Sequence, residues 1–507
     1  MPEFLHVSPR LTPGGPGRSL FEFIKRVRGL PDRTDRVIAL APSERTIAQQ
    51  LRALGVEVMT NADRVIVDDA IGASDLVMLH FWNSPEMFAL MSRPWPAARV
   101  LLWARVFGAH APQILSAPVL RFADRVAFTT PSSATVPAIA QALDGPPPIT
   151  WTTLPSISDF ARVEAVVPRA HDGFTVGYIG TVDYAKMHPD FVALHAAIAI
   201  PGLRVVVCGE GQAMDDIRRR ARSIGRSDLF DLRGQVDDIG SVLAELDVFG
   251  YPLCADTYAT TERSIQEAML CQLPVVVFPH GGLRDAVVDG ETGVVVANAE
   301  AYVRAIERLH RDPMERTRLG RHAAAAVRAR FAPQALADRV VDHCAELLDG
   351  PRRQRAPLDR GTSVVAATSG AALFLTSLAH AGSHFEISIA GDDVDGALAA
   401  DRAIAAASPV LVNAGGCGIL HYRAAFPDDP WLRLWSGLVL EHQDRVALAR
   451  AEYRRAIELG CAHWRVQAYL SRVARRLPST AIAEQALQAA LRLGGGDAVG
   501  RVLEDPA

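Results

Sequence analysis

The residues able to do chemistry concentrate between Gly180 and Gly282. In YIGTVDYAKMHPDF, Lys186 stands six residues after Gly180, in a loop that follows an apolar run. At the carboxyl end of a parallel strand, that ammonium would face a ligand cleft. Two of the 53 basic residues are lysine, Lys25 and Lys186, an arginine excess that a GC-rich genome produces through its codons. Where arginine is the default, a retained lysine suits a compact ammonium fitted against a phosphate. TTERSIQEAMLCQLPVVVF reads as turn, helix and strand, with Thr260 and Thr261 as N-caps and free first-turn N–H groups open to an anion. Glu267 falls within that helix, Glu262 lies near its start, and Gly281-Gly282 precedes a further helix. Singly, each has a plain structural role: a surface lysine, a solvated carboxylate, a first-turn acid on the helix dipole, a glycine turn. Their order and spacing carry more than any one of them.

Such residues need a scaffold of alternating strands and helices. Residues 1–335 supply it, with apolar runs at 4–7, 36–40, 56–60, 75–80, 99–103 and 125–130 separated by helical patterns. GPPPIT (145–150) and Val167-Pro168-Arg169 break the rhythm, and a second series runs through 174–180, 204–209, 229–234, 248–253, 274–278 and 292–297. The expected divisions are 1–168, 169–349, a basic solvated linker at 350–361 (GPRRQRAPLDRG), an unassigned mixed segment at 362–425, and 426–507. The last segment repeats. Ala449, Tyr453 and Ala456 recur 34 residues later as Ala483, Leu487 and Ala490, a period and small-large-small pattern that resembles the tetratricopeptide repeat. Gly437 and Ser471 hold the matching small position in the preceding helix. Two copies are too few to stand alone, so the module is expected to pack on its neighbour or on a second subunit.

Composition excludes other classes. The 507 residues are 49% hydrophobic and 22% charged, as in a globular chain of about three domains. A net charge of −4 gives no field for nucleic acid. Six scattered cysteines without a CxxC pair argue against a zinc site or a disulfide scaffold and for a reducing compartment. The N-terminal MPEFLHVSPR lacks the pattern of a signal peptide, and the uncharged stretch Ser363 to Phe385 reads as buried core, so a cytoplasmic location is expected. The arginines of 350–361 leave peripheral membrane contact as the lesser expectation beside a solvated linker.

The run from Val176 to about Phe331 resembles the donor-binding domain of GT-B glycosyltransferases, in particular the retaining family 4. The resemblance is carried by Gly180 to Lys186, VVVCGEG (205–211), DLRGQVDD (231–238), EAMLCQLPVVV (267–277), GGLRDAVVDGETGVVV (281–296) and PMERTRLGRHAAAAVRARF (313–331). TPGGPGRSL (12–20) stands where that family has its N-terminal glycine loop, and the likeness extends over about two thirds of the chain. It implies an α/β fold of two doubly wound Rossmann-like domains, here followed by a helical-repeat module. It implies transfer of a sugar, with retention, from a nucleotide diphosphate sugar to a protein or glycan acceptor, without metal or other cofactor. Lys186 would neutralise the leaving diphosphate, the departing phosphate would help deprotonate the acceptor, and no protein nucleophile is needed. Glu267 would accept from the ribose hydroxyls, Gly234 and Val236 would wall the base, and Gly14 and Gly15 would let backbone approach the phosphate or sugar. Gly180, Thr181, Thr260 and Thr261 complete the expected donor contacts.

The sequence also departs from the family. Thr181 replaces the arginine that follows the first-strand glycine, and Ala259 replaces the first of two glutamates eight apart, leaving Glu262 to take over. In LLWARVFGAH, Arg105 takes the place of a cleft histidine, with His110 nearby. The expected catalytic set is therefore Lys186, Glu262 and Arg105. Two rivals remain: a catalytically lapsed nucleotide-sugar-binding scaffold working through its repeats, and a nucleotide-sugar epimerase. A homodimer through the repeats is the expected self-association.

Overall fold

The computed structural model describes residues 1–30, 33–169, 171–358, 369–391, 393–413, 417–478, 480–494 and 496–504. The chain divides into two compact units, one of residues 1–82, 94–110 and 115–356, the other of 83–93, 111–114 and 357–507. The division expected after residue 168 thus runs inside the first unit, and the second unit draws in two segments from early in the sequence.

In the first unit the early strands are β1 (Glu3–Ser8), β2 (Thr34–Ala39), β3 (Glu57–Thr60), β4 (Leu76–Phe81), β5 (Trp95–Ala98), β6 (Val100–Ala104), β7 (Arg125–Phe128) and β8 (Trp151–Thr153). All but β5 form one parallel sheet in the order 3-2-1-4-6-7-8. Its central strands are buried on both faces, which is why they read as near-continuous apolar runs. A second parallel sheet joins β9 (Phe174–Ile179), β10 (Leu203–Cys208), β11 (Phe230–Gly234), β12 (Val248–Tyr251), β13 (Val275–Val277) and β14 (Val294–Val295) in the order 11-10-9-12-13-14. The strand order reverses between β1 and β4 in one sheet and between β9 and β12 in the other. Ligands of open parallel sheets seat at such points, beyond the carboxyl ends of the strands.

The boundary between the two units falls within the expected linker, after Ala356, and residues 351–354 are exposed, but the stretch also pairs with the first unit. Arg353–Arg355 forms β15, antiparallel to β5, and buried Arg355 pairs with Asp124. Residues 359–361 of that expectation lie outside the described residues. The Pro333–Leu348 helix, expected with the second sheet, lies on the first: Arg339 donates to the Thr153 carbonyl, and His343 contacts Thr152 and Arg125.

The second unit is helical. The expected core stretch delivers the buried helix Gly370–Leu378, with 363–368 outside the described residues. The described part of 383–425 continues as helices Ser383–Ala390, Val394–Ala405, Pro409–Val412 and Ile419–Ala425. Asp429 joins two helices, accepting from Trp431 and Leu432 at one start and from Ala371 at the other. Helices Pro430–His442 and Val446–Glu458 are followed, each 34 residues on, by Trp464–Arg475 and Thr480–Arg492. Gly437 lets the Tyr453 ring close in; a Cβ there would meet it at 2.4 Å. Tyr453 and Arg472 both bind Glu441, tying one helix pair to the next. Segment 83–93 is held in this unit by Asn83, which donates to the Ser377 carbonyl and accepts from the Tyr422 hydroxyl. Among the described residues no helix is long and apolar enough to cross a membrane.

Candidate active site

The loop that carries Lys186 is fixed from three sides. After β9 the chain passes Gly180, whose N–H bonds the Cys208 carbonyl, and Val182, whose N–H bonds Glu210. The two loops run so close that a Cβ on Gly209, at φ +131°, would fall 1.8 Å from the Gly180 carbonyl oxygen. The Asp183 carboxylate accepts from the Ala185 N–H, tightening the turn, while Lys186 and His188 bond the segment after β12 through Cys254 and Pro252. Thr181, expected as a donor contact in place of the family's arginine, accepts through its carbonyl from the Tyr178 hydroxyl.

The ammonium of Lys186 meets Glu262 at 2.7 Å, with both side chains about seven-eighths buried (12% and 14% exposed). Tyr251 donates to the same carboxylate oxygen at 2.9 Å and stacks on Tyr178. Burial works against the charge on Lys186, but Glu262, helped by Tyr251 and Tyr258, outweighs it and holds the pKa well above the ordinary lysine value. The group is a cation set among Tyr178, Tyr251 and Tyr258.

Thr260 and Thr261 are not the N-caps. The helix runs Arg263–Leu270, its cap residue is Glu262, and that carboxylate is spent on Lys186 and not on the first-turn N–H groups. Glu262 sits at φ +28°, a sparsely populated conformation for a side chain of this size. Both threonines are buried just upstream, and the Thr261 carbonyl accepts from Gln266. Gly281 and Gly282 pack on this segment: the Gly282 N–H bonds the Ala259 carbonyl, and a Gly281 Cβ would come within 2.4 Å of it. From the neighbouring Leu283–Ala286 helix, Asp285 accepts from the Ser132 N–H and from Thr130 beyond β7, joining the carboxyl edges of the two sheets.

Glu267 is 1% exposed and already paired. Arg162, from the segment joining the sheets, donates to its Oε1 through Nε (3.0 Å) and Nη2 (2.7 Å). Arg263 approaches the same oxygen at 3.7 Å, and its own charge is disfavoured first by burial and then by Arg162 and Arg18 nearby. Two guanidinium groups, Arg162 and Arg263, therefore meet one carboxylate oxygen. At the end of β11, Gly234 takes φ +68° and accepts from the Gly209 N–H, while Arg233 is paired with Asp231 and Glu245. Val236 packs half-buried against the core.

On the first sheet, Gly14 caps the Gly15–Val27 helix without a side-chain bond. Close approach in this loop is set by Gly17, where a Cβ would strike the Thr12 carbonyl at 2.1 Å; Gly15 has open space. Arg105 follows β6 and is 4% exposed. Its guanidinium lies 3.6 Å over Trp103, and Nη2 donates to His80 Nδ1 at 2.8 Å. His80 contacts His6 at 3.1 Å, and His6 contacts Asp35 at 2.9 Å. Burial pushes the Arg105 pKa down to about 9, which leaves it charged at neutral pH. His6 and His80 are both held below the ordinary histidine value, first by burial. The strands containing these histidines were legible, but their meeting across β1 and β4 was not.

The structure thus brings together Lys186, Glu262 and Tyr251, sets Glu267 among arginines, and places Arg105 in a separate network on the first sheet. Residues 173–312 match a family model described as glycosyl transferases group 1. Over 147 residues the chain is 29% identical to the lipopolysaccharide core biosynthesis glycosyltransferase LpsE of Rhizobium meliloti, covering 29% of this chain and 42% of that one. Over 118 residues it is 34% identical to the 2-deoxystreptamine N-acetyl-D-glucosaminyltransferase of Streptomyces fradiae, covering 22% and 27%. The chain spans less than half the length of these curated relatives. Among solved structures, HepE of Anabaena in complex with UDP and glucose superimposes with a TM-score of 0.56 at 17% identity, over 68% of this chain and 100% of that one. At that identity the likeness is one of fold.

Proposed function

We propose that this chain is a GT-B glycosyltransferase of the family 4 type, with two Rossmann-like domains and a tetratricopeptide-like C-terminal module. It would move a sugar from a nucleotide diphosphate sugar to a glycan or protein acceptor with retention, in the cytoplasm and without metal or cofactor. The observation that carries the reading is the Lys186 ammonium, charged, paired with Glu262 and carried at the carboxyl edge of the second sheet by a loop bonded to those after β10 and β12. It lies within the stretch that matches the glycosyl transferases group 1 model. A cation fixed before the reaction costs no reorganisation when charge develops on a leaving diphosphate. The arginines around Glu267 add positive potential on the same sheet. In the donor complex Glu262 would yield the ammonium to phosphate and turn to the sugar, and Glu267 would offer its second oxygen to the ribose. The structure of HepE with UDP and glucose makes UDP the first nucleotide to try.

The test is a thermal-shift and calorimetric panel of UDP, GDP and ADP, alone and with sugars, on wild type and Lys186→Ala. Turnover of the matching nucleotide sugar is measured alongside. Stabilisation by one nucleotide, weakened in the variant and accompanied by turnover, supports the reading; no binding by any of the three refutes it. The pairing of Lys186 with Glu262 favours a second reading, a lapsed site that binds a nucleotide sugar and signals through the helical unit. Binding without turnover of any donor would select it.

A further inference from the structure

Arg105 is a buried cation without a counter-ion among the described residues. It follows β6, beside β4, and so stands at the carboxyl edge of the first sheet next to the β1–β4 crossover. Its hydrogen bonds have fixed directions. A guanidinium can only donate, so His80 Nδ1 must accept and the His80 proton sits on Nε2. That proton is donated to His6 Nδ1, which leaves the His6 proton on Nε2, donated in turn to Asp35. Arg33 grips Asp35 through Nε and Nη2. Both imidazoles are neutral in this chain of bonds, and Asp35 is two rings away from Arg105. The relay orients the guanidinium, and Trp103 supports its face.

Nothing in the relay cancels the charge. Among the described residues no carboxylate oxygen lies within ion-pair distance of Arg105, and burial alone accounts for the fall in its pKa. Its Nε is buried without an acceptor. Its Nη1 has two long contacts, to the Ser19 hydroxyl at 3.4 Å and the Ser156 hydroxyl at 3.3 Å. Ser19 lies in the helix after the Gly14-Gly15 loop and Ser156 on the segment joining the sheets, so both border the ligand edge. Hydroxyls at that range yield readily to an anionic oxygen, which makes a shorter and stronger bond.

We propose that Arg105 is the counter-charge for an anionic group, a carboxylate or a phosphate monoester, on the sugar that seats at the first sheet. The acceptor of the proposed transfer is then an acidic glycan and not a neutral one, an assignment that rests on the glycosyltransferase reading. His80, His6 and Asp35 are positioning residues that hold the guanidinium toward that group.

The test uses the full chain and calorimetric titration with glucuronate, glucose 6-phosphate, inorganic phosphate and glucose, with UDP, GDP and ADP titrated on the same preparation. Glucuronate or glucose 6-phosphate is expected to bind at least tenfold more tightly than glucose, and which of the two wins separates carboxylate from phosphate. Arg105→Gln should erase the preference and Arg105→Lys restore part of it. Ser156→Asp supplies an internal carboxylate beside Nη1; it should raise the melting temperature and abolish the acidic preference, and it leaves the guanidinium in place should Arg105→Gln not fold. Nucleotide binding without any acidic preference overturns this inference and leaves the transfer reading standing. Acidic preference lost in Ser156→Asp, with no nucleotide bound, supports the anion site while the transfer reading fails. Acidic preference that survives in both Arg105→Gln and Ser156→Asp overturns the assignment to Arg105.

Discussion

Glu262 occupies the ammonium that a diphosphate would need, and removing its charge separates its two possible roles. At 2.7 Å and an effective dielectric of about 20, Lys186 and Glu262 attract by about 6 kcal/mol before desolvation. If the carboxylate stays in place, a phosphate entering at about 5 Å from it is repelled by about 3 kcal/mol on the same scale. Side-chain movement and water at a site one-eighth open reduce that figure, leaving about 1.4 to 2.7 kcal/mol, a ten- to hundredfold penalty on nucleoside diphosphate affinity. Glu262→Gln preserves the shape, and its amide oxygen can still accept from Tyr251. The ligand-free variant should be less stable, by about 3–5 kcal/mol, because a buried cation has lost its partner. Its affinity for UDP, or whichever diphosphate binds, should rise ten- to hundredfold, measured by calorimetry at constant salt. If Glu262 also touches the sugar, turnover of the nucleotide sugar falls while nucleotide affinity rises. An unchanged dissociation constant in Glu262→Gln would refute the competition between carboxylate and phosphate.

Other perturbations test the scaffold. Gly17→Ala drives a Cβ into the Thr12 carbonyl and should cost about 1–3 kcal/mol in chemical denaturation, whereas Gly15→Ala should be neutral; equal effects would contradict the loop geometry. Gly437→Ala presses on the Tyr453 ring and should destabilise the helical unit by about 1–2 kcal/mol after the gain in helix propensity, read from its unfolding transition. A more stable variant would be inconsistent with that packing. His195 is buried between the Phe191 carbonyl and the Tyr302 hydroxyl, and burial lowers its pKa to about 4. The unfolded chain takes up this proton from about pH 6.5 and the folded one does not, so the stability due to His195 is whole above pH 6.5 and lost as pH falls toward 4. At pH 5 the loss is about 2 kcal/mol, so His195→Gln should show that much less acid destabilisation between pH 7.5 and 5 in urea titrations. Identical pH dependence would count against it.

The strands at the heart of both sheets were legible because each is buried on two faces and announces itself as a run of valine, isoleucine and leucine. β5, β8 and β15 escaped notice for the opposite reason. WPAA, WTT and RQR carry no apolar run; β5 and β15 pair with each other across more than 250 residues, and β8 forms a sheet edge. The 34-residue period survived as four helix starts because Gly437 is demanded by the Tyr453 ring and Ala449 and Ala456 are fully buried, a local constraint. That segment 83–93 belongs with the helical unit had no local mark. Its membership depends on Asn83 finding Ser377 and Tyr422, almost 300 and 340 positions away.

The same distinction governs the site. Lys186 could be read from spacing, because a strand, a glycine and a short loop fix where its ammonium emerges. The helix start could not, because the threonines have the chemistry of caps, yet Glu262 gains more from a buried ammonium than from first-turn N–H groups. Capping gives about 1 kcal/mol, whereas breaking a buried pair costs about 3–5. Glu267 looked like a free carboxylate because its partner, Arg162, lies 105 residues earlier on the joining segment. The His6–His80–Arg105 relay draws one residue each from β1, β4 and the turn after β6, and only the pairing register of parallel strands brings them into line. A residue placed by its own strand and loop therefore shows in the sequence, whereas the distant partners that set its charge do not. In this chain the second kind decides the balance: one cation, Lys186, is neutralised by the protein, and another, Arg105, is left for a ligand to neutralise.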